Sequence, residues 1–399
     1  MKFFKSKQFK PSTQKGVTLI ELMVALVIGL IVSLAVYTVL TASEGRKRTT
    51  TSVNDIDQTA SYASYMIDKS LRSAGTGFTG GLNPKSTTSS SNSLPLAAAS
   101  YTLGCSLKVS LGSTVLSPKA AAYPAPFSSV PTAVRLAPIV ILDGAAINGD
   151  VLMTMGGSGG LSESVNNLSA TPAASTVTLT NVAGFTADDK MLLLGTNNSS
   201  ALAGTACLVE QVVSTFTQGT GSTYAVGLAS GSGDYRVDPT AYSSIASTAI
   251  AFNLGKSPNF YMFGVGANNT LFRYDMLLPS GTDNPSQFAD GVYSMHAIYG
   301  VGATKGALVW TAPTGAYASA NLLDGSAAAN LNLQKIKAIR IALIMRTSLP
   351  EKLAVSPATL KVFESTGAGT TVTVALTDAN YRYRVVESTI PIRNTLALD

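Results

Sequence analysis

From Leu22 to Ala42 the chain runs 21 residues without a charge or a proline. A helix needs about 20 such residues to cross a bilayer, so this stretch is a membrane-spanning helix by length alone. What precedes it is less ordinary. Glu21 stands at the mouth of the apolar run, and Lys2, Lys5, Lys7, Lys10 and Lys15 lie in front of it. A lone carboxylate at membrane depth costs about 2.5–3.5 kcal/mol on insertion scales, and such residues are kept for a function. Five lysines before the run, against Arg46, Lys47 and Arg48 after it, favour a cytoplasmic N-terminus by a small margin.

The leader also distorts the charge balance. The whole chain carries a net charge of +6, with 28 basic and 22 acidic residues. Removing the five leader lysines leaves 23 against 22, and a near-neutral chain has no electrostatic footprint for nucleic acid. Charged residues are only 13% of the 399, alongside 35 glycines and many small uncharged polar residues, a composition of secreted β-rich proteins with room for two or three domains. Cys105 and Cys207, the only cysteines, both follow the apolar run. An oxidising compartment permits them to pair. Sequence does not place their Cα atoms, so a disulfide and two buried thiols both stay open. Two cysteines with no histidine near them make no zinc site.

Beyond residue 43 the helical pattern continues in another form. Val53, Ile56, Ala60, Ala63 and Ile67 recur at three- and four-residue steps and draw one apolar stripe, with Asp55, Asp57, Gln58, Asp68 and Lys69 mostly elsewhere. This predicts an amphipathic helix laid on a globular head, ended by Gly75, Gly77, Gly80 and Gly81. Residues 76–100, rich in Gly, Ser, Thr and Asn, read as an exposed loop. Short β-branched runs then recur between turn residues, at 133–142, 151–155, 176–182, 191–195, 207–216 and 223–228. Alternation is stronger later, at 259–265, 270–278, 292–301, 307–311, 336–347, 371–376 and 381–393. The fold class is therefore α+β: a long N-terminal helix on a large antiparallel β-rich head.

Catalytic chemistry is hard to find. The single histidine, His296, alternates along a predicted strand with Tyr293, Met295 and Ile298, with no nucleophile or orienting carboxylate nearby in sequence. Gly156-Gly157-Ser158-Gly159-Gly160 lacks the Gly-Lys-Ser/Thr ending of a phosphate loop. The stretch from Asp143 to Asp150 has too few oxygen ligands for an EF-hand and reads as a turn. Arg340 and Arg346 interrupt the apolar strand 336–347 and suit a sheet edge or pairing with acids. Tyr224, Tyr235 and Tyr242 read as strand or core residues. No catalytic residue, metal ligand or cofactor is expected.

The segment Lys15-Gly16-Val17-Thr18-Leu19-Ile20-Glu21-Leu22 resembles the class III signal of type IV pilins: a basic leader ending in glycine, then an apolar residue, with glutamate fifth after the glycine. Three later stretches resemble one subfamily: Asp290-Gly-Val-Tyr-Ser-Met-His-Ala-Ile-Tyr-Gly-Val-Gly302, Ile336-Lys-Ala-Ile-Arg-Ile-Ala-Leu-Ile-Met-Arg-Thr347, and Tyr381-Arg-Tyr-Arg with Pro391-Ile-Arg-Asn394. With Thr270-Leu-Phe-Arg273 and the placement of the two cysteines, they look like PilW-type minor pilins.

The resemblance implies that a prepilin peptidase cuts between Gly16 and Val17 and methylates the new amine of Val17, while Glu21 pairs with such an amine on a neighbouring subunit. It implies a minor pilin of the initiation or tip complex, anchored once in the inner membrane with its head in the periplasm and later carried into a surface pilus. Its partners would be the peptidase, other minor pilins, the major pilin, the assembly platform and a large tip adhesin. The expected segments are a cleaved leader (1–16), an assembly helix (17–42), an amphipathic helix (43–74), a polar loop (75–100) and a β-rich head in two parts (101–255 and 256–399). A minor pseudopilin of a type II secretion system carries the same signal and is the alternative. A surface-exposed adhesive or DNA-binding module is the alternative from another class.

Overall fold

The computed structural model describes residues 16–79, 103–146, 148–158, 166–194, 206–218, 224–237, 242, 245, 249–278, 285–302, 308–367 and 369–396. The leader lysines, most of the expected polar loop, and Gly159 and Gly160 lie outside these. Helix α1 runs without interruption from Leu19 to Arg72. Its residues up to Asn54 belong to one unit and those from Asp55 to another, and each unit is described by itself.

In the second unit the apolar stripe is the buried face. Ile56, Ala60, Ala63, Ile67 and Leu71 are all buried, while Tyr62 and Tyr65 are exposed. The two alanines between Ile56 and Ile67 let the helix lie close to what it covers. Covering an isoleucine or leucine contributes about 1.5–3 kcal/mol, so this stripe alone is a strong fastening. Asp68 and Arg72, one turn apart, pair at 2.6 Å on the solvent side. The chain leaves the helix through Gly75 in a left-handed conformation, and the Gly75 amide donates to the Met155 carbonyl. Residues 75–79, expected to open a polar loop, instead form a turn in which Phe78 and Thr79 are buried.

The head is built of short strands. The first are β1 (Ser106–Leu111), β2 (Thr114–Ser117), β3 (Ile139–Ala146), β4 (Gly149–Gly156), β5 (Asn166–Asn167) and β6 (Thr176–Leu179). Then follow β7 (Lys190–Leu194), β8 (Ala206–Gln211), β9 (Tyr224–Gly227), β10 (Ile250–Gly255), β11 (Asn259–Val265) and β12 (Leu271–Asp275). The last are β13 (Ser286–Ala289), β14 (Val292–Val301), β15 (Val309–Thr311), β16 (Ile336–Arg346), β17 (Thr359–Val362), β18 (Val372–Ala375) and β19 (Tyr383–Pro391). A nine-residue helix, Ala327–Lys335, leads into β16, capped by the Ser326 hydroxyl accepting from the Ala329 amide.

Two large sheets result. The larger has nine strands along the path β13-β12-β11-β4-β14-β16-β19, with β15 on β14 and β3 on β4. The other is ordered β2-β1-β8-β7-β10-β5. The larger sheet therefore draws two strands, β3 and β4, from the expected first part of the head. Its centre is apolar on both faces. In β16, Ile341, Leu343 and Met345 join the main core, whereas Ala342 and Ile344 face a second cluster with Val362 and Phe363 of the β17–β18 hairpin region. On the helix side, Ile67 of α1 lies with Ile341, Leu343, Val386 and Ile390 around one small crevice. The smaller sheet is two-sided as well: Leu192, Leu194, Cys207 and Val209 enter the main core, and Met191, Leu193, Ala206 and Leu208 pack into a cluster that includes Val177, Leu179 and Val226 of the β6–β9 hairpin.

Several expected strand ends shift. The run expected at 133–142 becomes strand only at Ile139 and continues to Ala146, because it pairs antiparallel with the next strand, β4, from Ile139 opposite Thr154 to Ala146 opposite Gly149. The run expected at 207–216 stops at Gln211, and that at 270–278 spans only Leu271–Asp275. The final run stops at Pro391, which cannot donate to a ladder, and Arg393–Leu396 forms one helical turn. Lys337, buried, donates its ammonium to the Thr395 carbonyl in that turn at 2.6 Å. Strands β1, β2, β5, β10, β13 and β17 correspond to none of the expected runs.

Candidate assembly interface

The first unit presents the predicted processing residues at the start of α1. Gly16 and Val17 precede the helix and are exposed. A Cβ added at Gly16 would meet nothing within 4 Å. Thr18 caps the helix: its hydroxyl accepts from the Glu21 amide at 3.3 Å, and its carbonyl accepts from the Leu22 amide at 3.1 Å. Thr18-Leu-Ile-Glu21 is thus a capping-box spacing, with an acid in the first turn where the helix dipole favours one. Glu21 has a local reason to be where it is, and its carboxylate remains exposed for a further contact.

Sixteen large apolar side chains, from Leu19 to Leu40, stand exposed along this helix, with Val17 exposed just before it. It is long and apolar enough to cross a membrane. Its few hydroxyls are satisfied within the helix: Ser33 donates to the Gly29 carbonyl, Thr38 to Ala35 and Thr41 to Tyr37, at 2.8–3.1 Å. These hydroxyls do not interrupt the apolar surface between Leu22 and Thr41, whose one exposed polar tip is the Tyr37 hydroxyl. The segment is a helix with an uncovered apolar surface and one acid at its start.

In the second unit, the sequence candidates fall into a buried polar seam between β4 and β14. These strands touch at a single parallel bridge, Met295 to Gly149. Gly149 is required there: its φ is +111°, and a Cβ would lie 2.1 Å from the Met295 carbonyl oxygen. Next to it, Asp150 is buried and accepts from the Ala297 amide at 2.9 Å and the Gly144 amide at 3.1 Å. Burial pushes its carboxyl up to about 7, against the pull of those two amides. His296 Nδ1 lies 3.8 Å from the Asp150 carboxylate, too far for a hydrogen bond. Burial lowers the His296 pKa, so the ring is neutral at pH 7. Three residues further along β14, the buried Tyr299 hydroxyl accepts from the Ile141 amide of β3 at 2.6 Å. These groups stitch β3, β4 and β14 together, and no nucleophile stands among them. Asp143 and Asp150, read from sequence as the two ends of a turn, lie within β3 and β4 on either side of it.

The remaining candidates are structural contacts. Arg340 lies inside the sheet rather than at its edge, and its guanidinium donates twice to Glu387, at 2.7 and 3.1 Å, and once to Ser365. Arg346 stacks over the Tyr381 ring, 4.3 Å from its centre. Tyr235 donates to the Leu277 carbonyl at 2.8 Å, and Tyr242 is buried. Cys105 and Cys207 are joined as a disulfide with Cα atoms 5.7 Å apart, beside the parallel pairing of β1 with β8. Among the described residues no group of three or more His, Cys, Asp or Glu side chains is placed to hold a metal ion.

The sequence motifs gave no sign of one contact set. Asn394 donates its amide to the Ala74 carbonyl and the Thr76 hydroxyl, both at 2.8 Å, and ties the closing Arg-Asn to the end of α1. Arg384 of β19 pairs with Asp57 of the same helix. An acid on the helix and an arginine in the last strand were each visible in sequence, but their partnership spans more than 300 residues.

Comparison with known proteins supplies two matches. Residues 11–37 match the prokaryotic N-terminal methylation motif, which covers Gly16, Val17 and Glu21. Residues 260–394 match the family of the type IV pilus-assembly protein W, which covers β12 to β19 and ends on Asn394. That family is one of pilus-assembly components rather than of enzymes. No curated protein and no solved structure matches the chain. A methylation signal at the start of an exposed apolar helix and a pilus-assembly sheet at the other end match this chain to the PilW-type minor pilins with a class III signal.

Proposed function

We propose that the chain is a minor pilin that takes part in starting a type IV pilus and in its tip complex, and so in motility, adhesion or uptake through that fibre. The observation that carries this is the arrangement at residues 16–22: an exposed glycine, then a capped helix start with Glu21 in its first turn, then an uninterrupted apolar surface. A prepilin peptidase would cut after Gly16 and methylate Val17. The new amine would pair with Glu21 of a neighbouring subunit, offsetting the cost of holding that carboxylate out of water. Before assembly the chain would sit in the inner membrane, N-terminus cytoplasmic and head periplasmic, where an oxidising compartment suits the Cys105–Cys207 bond. Its partners would be other minor pilins, the major pilin, the assembly platform and a tip adhesin. The match over residues 260–394 favours a pilus over a secretion pseudopilus.

Gly16→Leu tests the reading, because the added side chain has open space around it. The expected result is a chain that keeps residues 1–16 by mass analysis of its N-terminus, with few or no pili on the cells. Normal cleavage and normal pilus number would refute it.

A further inference from the structure

The two borders of the nine-stranded sheet are finished differently. At one border β13 has four residues, and its pairing with β12 is broken by a register shift. Short length and a bulge are the usual means of blunting an exposed edge. At the other border β19 has nine residues paired to β16 from end to end, with no shift. It contains no lysine, and its one proline is its last residue.

The hydrogen-bond parity of β19 can be read from its ends. The Ile392 amide donates to the Lys337 carbonyl, and the Thr347 amide donates to Arg382. Odd residues of β16 therefore bond to even residues of β19, as antiparallel alternation requires. The main-chain groups of Tyr383, Val385, Glu387 and Thr389 consequently point away from the sheet, and among the described residues none of them has a backbone partner. The charges along this edge are already matched within the head: Arg384 with Asp57, Glu387 with Arg340, and Arg382 with Glu351. Val385 and Val386 at its centre are half-buried. The edge thus offers a main-chain ladder, two part-covered apolar side chains and no free charge.

We propose that this edge receives an extended, uncharged segment of a different subunit in the same assembly, which adds to the sheet as a further strand beside Tyr383–Thr389. A second copy of this chain is the other source of such a strand, and slowing of the outward amides as the concentration of the chain alone is raised in detergent would show that copies pair through this edge, and would overturn the proposal. Main-chain bonding supplies the affinity in this mode of recognition, and apolar residues next to Val385 and Val386 supply the register. The proposal rests on the reading of the chain as a pilus-assembly subunit.

Residue-resolved amide hydrogen exchange on the full-length chain tests it, first purified in detergent and then in the complex it forms when co-expressed with its minor pilins. In the chain alone, the amides of Tyr383, Val385, Glu387 and Thr389 should exchange at least about tenfold faster than those of Arg384, Val386, Ser388 and Ile390. In the complex the first set should slow at least about tenfold. Protection of the odd residues in the chain alone would show that its own residues cover the edge, and would overturn the proposal. Fast exchange persisting in the complex would overturn it too, leaving the minor-pilin reading intact. Failure of the wild-type chain to join any complex of pilins would remove that reading and this inference together. Val385→Pro removes one outward amide and none of the bonds to β16, so it should abolish the complex, while Val385→Thr keeps it. Undiminished complex with Val385→Pro would also refute the strand addition. Should the proline unfold the head, the exchange comparison decides without it.

Discussion

Replacing Asp150 with asparagine should change how the head's stability depends on pH, and the structure gives both sign and size. In the wild type the Asp150 carboxyl titrates at about 7 in the folded head and near 3.8 when unfolded. Below pH 3.8 both states are protonated. As pH rises from there to about 7 the unfolded chain sheds this proton while the folded head keeps it, so stability falls, and above pH 7 the loss is complete. The slope for one such group is about 1.4 kcal/mol per pH unit, so the wild type should lose about 2–4 kcal/mol from this source between pH 4 and pH 7. Asparagine does not titrate, and it can accept from only one of the Ala297 and Gly144 amides. The other would face its NH2 group, a cost of about 1–3 kcal/mol that hardly varies with pH. The wild type should thus be the more stable protein at pH 5, with the gap closing or reversing by pH 8. Glu210, buried and pushed up to about 8, acts in the same direction as Asp150, whereas His296, with its pKa lowered by burial, disfavours folding as pH falls below 6.5. Both groups are present in both proteins and cancel in the difference. Urea unfolding of the full chain in detergent, followed by emission of its single tryptophan, Trp310, measures that difference. A gap constant from pH 4.5 to pH 8, or one that widens, would refute the account of Asp150.

Two further outcomes follow from the same seam and from the smaller sheet. Tyr299→Phe leaves the Ile141 amide buried without its acceptor, so unfolding free energy should drop by about 1–3 kcal/mol, with the drop confirmed by faster exchange of that amide. Reducing or replacing Cys105 and Cys207 opens a closure of 102 residues, and on the chain-entropy argument should cost about 2–5 kcal/mol in the same urea titration. An unchanged midpoint in dithiothreitol would show that the unfolded chain is not constrained by this bond.

The sequence carried the anchor and the helix face well, because each rests on local pattern. Ile56, Ala60, Ala63 and Ile67 recur at helical steps and are buried as a face, with Leu71 extending it. Strands with one dry face were visible by alternation. Strand β10 was not: all six of its residues are buried, so Ile250–Gly255 shows no period of two. The same holds for β8, whose end was misjudged for lack of alternation. Pairing across the chain left still less trace. Asp150 looked like a turn residue because its partners are the Gly144 and Ala297 amides, the latter 147 residues away and carrying no side-chain signature. Arg340 was read as suiting an edge or an acid, and it does meet an acid; that the acid is Glu387, inside the sheet, came only with β19 on the flank of β16. At the assembly segment, Thr18 and Glu21 were legible as a motif, while their capping geometry came only with the helix start.

The tie from Asn394 back to Ala74 and Thr76 sets a timetable for the newborn chain. The face of α1 that needs covering leaves the ribosome early, yet β19, which covers part of it, and the asparagine that closes its end are made some 320 residues later. Until then Ile67 and its neighbours have no lasting cover, and the interval is one in which wrong partners compete for them. At about 5–20 residues per second it lasts on the order of 15–60 seconds. A helix face whose lid is made so late is thus the part of this head most exposed to wrong partners while the chain is being completed.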